Sequence, residues 1–253
     1  MPAADWGLLA LITLVSAGVQ SATGFGFGLL AVSGFLIVLN SAAAIQIAII
    51  LTLAISLTLL PKIWRHTPKR DLRLLAAGSA IGFPAGLLAY AHLSLSSIKI
   101  SVALIILLSA AQAAARLSGH GSRLPHKAVH EAGAPHVMGI GAVSGAMTSC
   151  LAMPGPPVMA YLTASGADKV AIRATLISLY VFSFGAALAL QSLFVGLDTQ
   201  TWLLSAALTP TALVGTIVGH LVSPKISQRM FQMLIVSALL ATAVYMLITT
   251  ALA

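Results

Sequence analysis

Two short segments of this 253-residue chain carry residue types that expose main-chain polar groups: Gly24-Phe25-Gly26-Phe27-Gly28 and Met153-Pro154-Gly155-Pro156-Pro157. Gly26 and Gly155 lie 129 positions apart (155 less 26), and each segment interrupts an apolar stretch. Glycine tolerates positive φ and lets backbone approach a ligand closely, while proline removes a backbone donor and stops the preceding helix. A helix that restarts inside lipid aims free N–H groups and a partial positive charge at the gap, which suits an anion. Paired breaks in two halves of a membrane chain therefore point to a transport site. The candidate binding residues are Gln20, Ser21, Thr23, Gly24, Phe25, Gly26 and Gly28 at the first break. At the second they are Thr148, Ser149, Cys150, Pro154, Gly155, Pro156 and Pro157.

Arg173 lies just inside the next apolar run, with Thr175 and Ser178 on nearby turns. It can hold an anion, or it can be an anchor that snorkels to the cytoplasmic surface. Gln46 and Gln191 sit mid-run and either line a pore or join helices; Tyr161 and Thr175 are further candidate pore-lining residues. The plain alternative for the glycines is close helix packing, and for the prolines a kink without a ligand. Polar residues gathered at the first break favour the binding reading. Pro84 and Pro210 read as kinks. Cys150 has no evident base beside it, so it reads as a small packing residue.

The elements that must position these residues are set by composition. The chain is 59% hydrophobic and 7% charged, with mean hydropathy +1.03, far from the balance of a soluble domain. Apolar stretches run over 6–39, 42–61, 72–91, 98–117, 137–163, 170–197, 200–222 and 230–252. The run 6–39 would be about 51 Å as one helix, too long for a hydrocarbon core of about 30 Å, so it must turn back or break. Pro154, Pro156 and Pro157 break the run 137–163 as well. Asp5 and the lack of any basic residue before the first run argue against a cleaved signal peptide.

A formal charge of +8 does not imply nucleic acid, because the basic residues sit in short connections between apolar runs. Treating each broken stretch as a hairpin puts Lys62, Arg65, Lys69, Arg70 and Arg73 in the cytoplasm. The same topology places Arg116, Arg123, Lys127, Lys169, Arg173, Lys225 and Arg229 there, leaving Lys99 outside. Single crossings would strand Lys225 and Arg229 outside. The expected fold is an all-α polytopic membrane protein of two inverted repeats, each a broken hairpin followed by three transmembrane helices. Its parts are an N-terminal membrane repeat at 1–117, a cytoplasmic linker at 118–135 and a C-terminal membrane repeat at 136–253.

Absences narrow the chemistry. All five acidic residues map to loops or chain ends, whereas cation pumps and proton-coupled carriers usually keep a carboxylate within the membrane. One cysteine excludes an intrachain disulfide, and His120, His126, His130 and His136 lack a ligand pattern, so neither metal nor cofactor is expected. No nucleophile elbow or metal-spaced His-Glu pair is present, which argues against an enzyme.

Gly18 through Gly28, and Gly145 through Pro157 leading to Tyr161 and Arg173, resemble the TauE/SafE sulfite exporter family. Cys150-Leu151-Ala152-Met153-Pro154 stands where that family commonly has a richer glycine run. The resemblance implies a bacterial inner-membrane, multi-pass carrier in the lipid bilayer. Its implied partner is a small anion (sulfite, an organosulfonate or similar), exported by alternating access, and a homodimer stays open. The alternative is an importer of a small sulfur-containing or carboxylate anion.

Overall fold

The computed structural model describes residues 3–117, 133–222, 237, 239–245 and 247–249. Most of the expected linker lies outside the described residues, with Arg123, Lys127, Glu131, His120, His126 and His130. So do Lys225, Arg229 and part of the last apolar stretch. Among the described residues up to 222 the helices are α1 (Ala3–Thr23), α2 (Phe27–Leu39), α3 (Ala43–Ile63), α4 (Lys69–His92), α5 (Leu95–Leu117), α6 (Ala134–Leu151), α7 (Gly155–Ala164), α8 (Lys169–Phe194) and α9 (Thr199–Val222). A 3₁₀ turn, Trp64–His66, joins α3 to α4, and among the described residues there is no strand. α1, α3, α4, α5, α8 and α9 are long and apolar enough to cross a membrane.

The packing suits lipid. Exposed positions carry aliphatic side chains such as Leu11, Ile81, Leu88, Leu108, Leu193 and Ile217, while Thr13, Gln20, Ser33, Ser144 and Gln191 are buried. Water would not tolerate so much exposed apolar surface. Buried hydroxyls are satisfied locally: Thr13 Oγ1 donates to Leu9 O at 2.7 Å, and Thr52 Oγ1 to Ala48 O at 2.6 Å.

Both expected breaks are present. α1 ends at Thr23 and α2 restarts after Gly26; α6 ends at Leu151 and α7 restarts after Pro154. These ends and caps are each 128 positions apart (151 less 23, 154 less 26), one fewer than the spacing of Gly26 and Gly155. Asp5 near the start of α1 and Val38, Leu39 and Ser41 near the end of α2 line the same open cavity of about 740 Å³. The first broken stretch is therefore a hairpin that returns to the face where it began. Tyr90 near the end of α4, Val195 to Asp198 between α8 and α9, and Gln200 and Thr201 in the first turn of α9 line that cavity too.

Close helix packing explains many of the remaining glycines. Gly78, Gly82 and Gly86 of α4 lie on the backbone of Met138, Ala142 and Ala146 in α6, and Gly141 and Gly145 lie on Leu75 and Ser79. Positions rise together, so α4 and α6 are parallel. Ser79 Oγ donates to Gly141 O (3.1 Å) and Ser149 Oγ to Phe83 O (2.9 Å) across this seam. In the same way Gly215 and Gly219 of α9 lie on Leu14 and Gly18 of α1, again in parallel. Small residues four apart let backbones approach where lipid gives no hydrophobic drive. α1 runs away from the open cavity while α4, and hence α6, runs toward it. The helices α1 and α6 thus begin at opposite ends of the bundle.

The helix contacts repeat when the halves are exchanged. α1 packs on α9 as α6 packs on α4, α3 meets α9 as α8 meets α4, and α3 packs on α8 at the centre.

A methyl at position 82 would overlap the Ala142 carbonyl, so Gly82→Ala should cost about 1–3 kcal/mol, typical of overpacking. Gly139 on α6 faces open space, so Gly139→Ala should leave stability unchanged or slightly raised. Thermal unfolding in detergent checks both; equal Tm values would contradict the seam.

Candidate functional site

The two breaks meet. A Cβ on Gly28 would overlap the Ala152 carbonyl, and one on Gly155 would lie 3.6 Å from Phe25 Cβ. Between them is a cavity of about 10 Å³, room for roughly one water. Its walls are Gln20, Phe25, Gly26, Gly28 and Leu29 from the first hairpin, Ala152 to Pro156 from the second, Thr52 of α3, and Tyr180 and Phe184 of α8.

Each break is held by local chemistry. Gly24 and Gly26 take φ of 85° and 108°, a region that L side chains avoid. Thr23 Oγ1 donates to Val19 O (2.8 Å) or Phe25 O (2.5 Å) and accepts from the Phe25 N–H (3.2 Å), closing the turn. In the second, Ala152 sits left-handed at φ 55°; its N–H donates to Thr148 O, and that of Met153 to Met147 O. This is the αL type of helix ending, built on alanine rather than glycine. Ser144 Oγ donates to Pro154 O (2.9 Å), and Gln191 Nε2 reaches Ser149 O (2.8 Å).

What remains is a set of donors. The N–H groups of Phe27, Gly28 and Leu29 open α2 with no side-chain cap, and the ladder resumes with Leu30 N–H to Gly26 O (3.2 Å). α7 also lacks a side-chain cap, but Pro156 and Pro157 have no N–H, so Gly155 alone donates from that helix start. The prolines that create the second break also remove its donors. No acidic or basic side chain lines the cavity. Among the described residues no group of three or more His, Cys, Asp or Glu is placed to hold a metal.

Of the candidate binding residues, Gln20, Phe25, Gly26, Gly28, Pro154, Gly155 and Pro156 line the cavity. Gln20 is fully buried; Nε2 donates to Ser56 Oγ (3.3 Å) and Oε1 has no partner. Ser21 is buried off the cavity, and Thr148 Oγ1 bonds Ser144 O (2.7 Å). Ser149 and Cys150 are likewise buried in the α6 seam, and Pro157 lies one residue beyond the lining. Arg173 is not in the wall. Its Cγ would meet a Cβ on Gly24 at 2.8 Å, and its buried Nε has no partner. Gln46 Nε2 donates to Gly196 O (3.0 Å) and lines the larger open cavity. Gln191 and Gln46 thus both join helices through backbone carbonyls. Thr175 Oγ1 bonds Ala171 O (2.8 Å), and Tyr161 is buried on α7.

Leu29, Thr52, Tyr180 and Phe184 line the cavity without having been singled out by sequence, and Ala152 and Met153 line it from the second break, where they were quoted but not named as binding candidates. The breaks flagged their own neighbours, but the register of α3 and α8 against them is set only by tertiary packing.

Paired helix breaks around a small uncharged donor-lined cavity, in a bundle with six potential spans, define a polytopic membrane protein of transporter type. The family model for the sulfite exporter TauE/SafE matches residues 9–246, and the chain belongs to the TauE/SafE family. No curated protein and no solved structure matches significantly.

A left-handed alanine costs about 1–2 kcal/mol relative to a comfortable conformation, so Ala152→Gly should raise Tm by a few degrees. A lowered Tm would show that the carbonyl at 152 is not under this strain.

Proposed function

We propose that this protein is a secondary transporter of the bacterial inner membrane that exports a small anion, sulfite or an organosulfonate, by alternating access. The observation that carries the reading is the cavity between the breaks: it offers main-chain N–H donors and contains no carboxylate. Preorganised amides at a helix start bind oxyanions, and a site without charge can release them again. Each negative charge leaving a negatively polarised cell gains about 2.3 kcal/mol per 100 mV, so export runs downhill without a coupling ion.

Opposed hairpins and interchangeable helix contacts support an inverted repeat. Two hydrogen bonds between the halves support gating. At the open-cavity end Gln46 Nε2 of α3 bonds Gly196 O, beyond α8. At the other end Thr67 Oγ1, beyond α3, meets Ser178 Oγ of α8 at 2.9 Å. Thr67 and Gly196 are 129 positions apart, so the pair is nearly exchanged with the halves. From Ser178 to Gly196 is about 27 Å along the chain of α8, with the Thr67–Ser178 bond only two residues from the cavity-lining Tyr180 and the Gln46–Gly196 bond farther from the cavity. With both bonds made, the small central cavity is that of an occluded state.

Purified protein in liposomes should carry sulfite across the membrane. Gly28→Val, which drives a side chain into Ala152, should cut flux at least tenfold while the protein stays folded. A wild type inert toward sulfite, sulfoacetate, sulfate and small carboxylates would overturn the reading.

The gates give a separate expectation. With Cys150→Ala and a reporter Thr52→Cys, Thr67→Val should speed labelling from the cytoplasmic side, and Gln46→Leu from the opposite side. An impermeant thiol reagent applied to each face measures this; identical rates would remove the latches.

A further inference from the structure

Tyr180 stands out among the side chains that line the central cavity. It is 3% exposed, it sits in the middle of α8, and its hydroxyl would lie 2.5 Å from a Cβ on Gly155. The ring is held edge-on against Phe184, with centroids 5.5 Å apart and planes at 72°. Among the described residues no hydrogen bond engages that hydroxyl. A buried phenol without a partner forfeits a hydrogen bond, so the position is unfavourable unless something enters the cavity.

The other side-chain hydroxyl at the cavity is committed, Thr52 Oγ1 donating to Ala48 O, while the Gln20 amide gives one of its two protons to Ser56 Oγ. The hydroxyls behind the breaks are committed too: Thr148 bonds Ser144 O and Ser144 bonds Pro154 O. Ser and Thr in helices reach back to the carbonyl four residues earlier, which takes their only proton. A tyrosine hydroxyl lies too far from its own backbone to do so. It is also a neutral O–H donor, suited to an anionic acceptor.

The second break makes that proton useful. The α2 start leaves the N–H groups of Phe27, Gly28 and Leu29 without a side-chain cap, with Gly28 and Leu29 in the cavity wall, whereas the α7 start leaves only that of Gly155. From this juxtaposition we infer that the Tyr180 hydroxyl is a direct ligand of the transported oxyanion, supplying beside Gly155 the donor that Pro156 and Pro157 remove. The inference rests on the anion-transport reading and adds a residue and a role to it. A one-water cavity fits a resting state in which a water pairs with this hydroxyl until the anion displaces it and the walls open.

Tyr180→Phe is the direct test, because it keeps the ring against Phe184 and deletes only the hydroxyl. Equilibrium sulfite binding to purified protein in detergent should weaken about tenfold or more, the range for a hydrogen bond to a charged acceptor, at unchanged Tm. Sulfite should also perturb the near-UV tyrosine spectrum of the wild type, and this change should vanish in the variant. A merely structural tyrosine would give no such spectral signal. If both proteins bind sulfite equally, the Tyr180 role is overturned while the transporter reading stands. If the wild type binds none of sulfite, sulfate, sulfoacetate or small carboxylates, both fall.

Discussion

Backbone polar groups in lipid must find partners, and most of this fold can be read as the consequence of breaking that rule twice. An unpaired N–H or C=O costs several kcal/mol in hydrocarbon. Each break is accordingly surrounded by substitutes: Thr23 closes the first turn, Ser144 covers Pro154 O, and Gln191 from α8 covers Ser149 O. The carbonyl side is thus repaired. The amide side is repaired only in part: the Phe25 N–H meets Thr23 Oγ1, while α2 and α7 open without a side-chain cap on Phe27, Gly28, Leu29 and Gly155. On the proposed transport reading, that asymmetry favours a negative ligand.

Packing keeps the gap in place. Glycine faces lock α4 on α6 and α9 on α1, so the first arm of each broken hairpin is carried by a helix of the opposite half. Between these parallel pairs, α3 and α8 run side by side and bring Thr52, Tyr180 and Phe184 to the cavity. In the proposed alternating access, one pair moves against the other, and the hydrogen bonds Gln46–Gly196 and Thr67–Ser178 are the contacts between the halves that such a movement would break.

The membrane class, both breaks and the hairpin character of the first were legible in the sequence because each depends on local composition. Hydropathy marks a span, glycine and proline mark an ending, and charge in the connections marks a side. Residues that reach the cavity from intact helices were not legible. Tyr180 and Thr52 occupy ordinary positions in apolar runs, and nothing local says that α8 presents Tyr180 rather than Thr175 to the breaks. Proline was ambiguous in a different way: it announced the second break correctly while concealing how few amides that break could offer. A clue to the gates was available, since the offset that relates Gly26 to Gly155 also relates Thr67 to Gly196. Only the fold shows that each meets a side chain of the other half.

The account stands or falls on whether main-chain amides at the breaks hold the anion. Solid-state NMR of protein labelled with ¹⁵N-glycine reads this directly, because an amide proton moves downfield when it donates to an oxyanion. Titration with sulfite should shift the Gly28 and Gly155 signals and leave remote Gly139 unmoved. Sulfite transport that persists with both signals unchanged would contradict it.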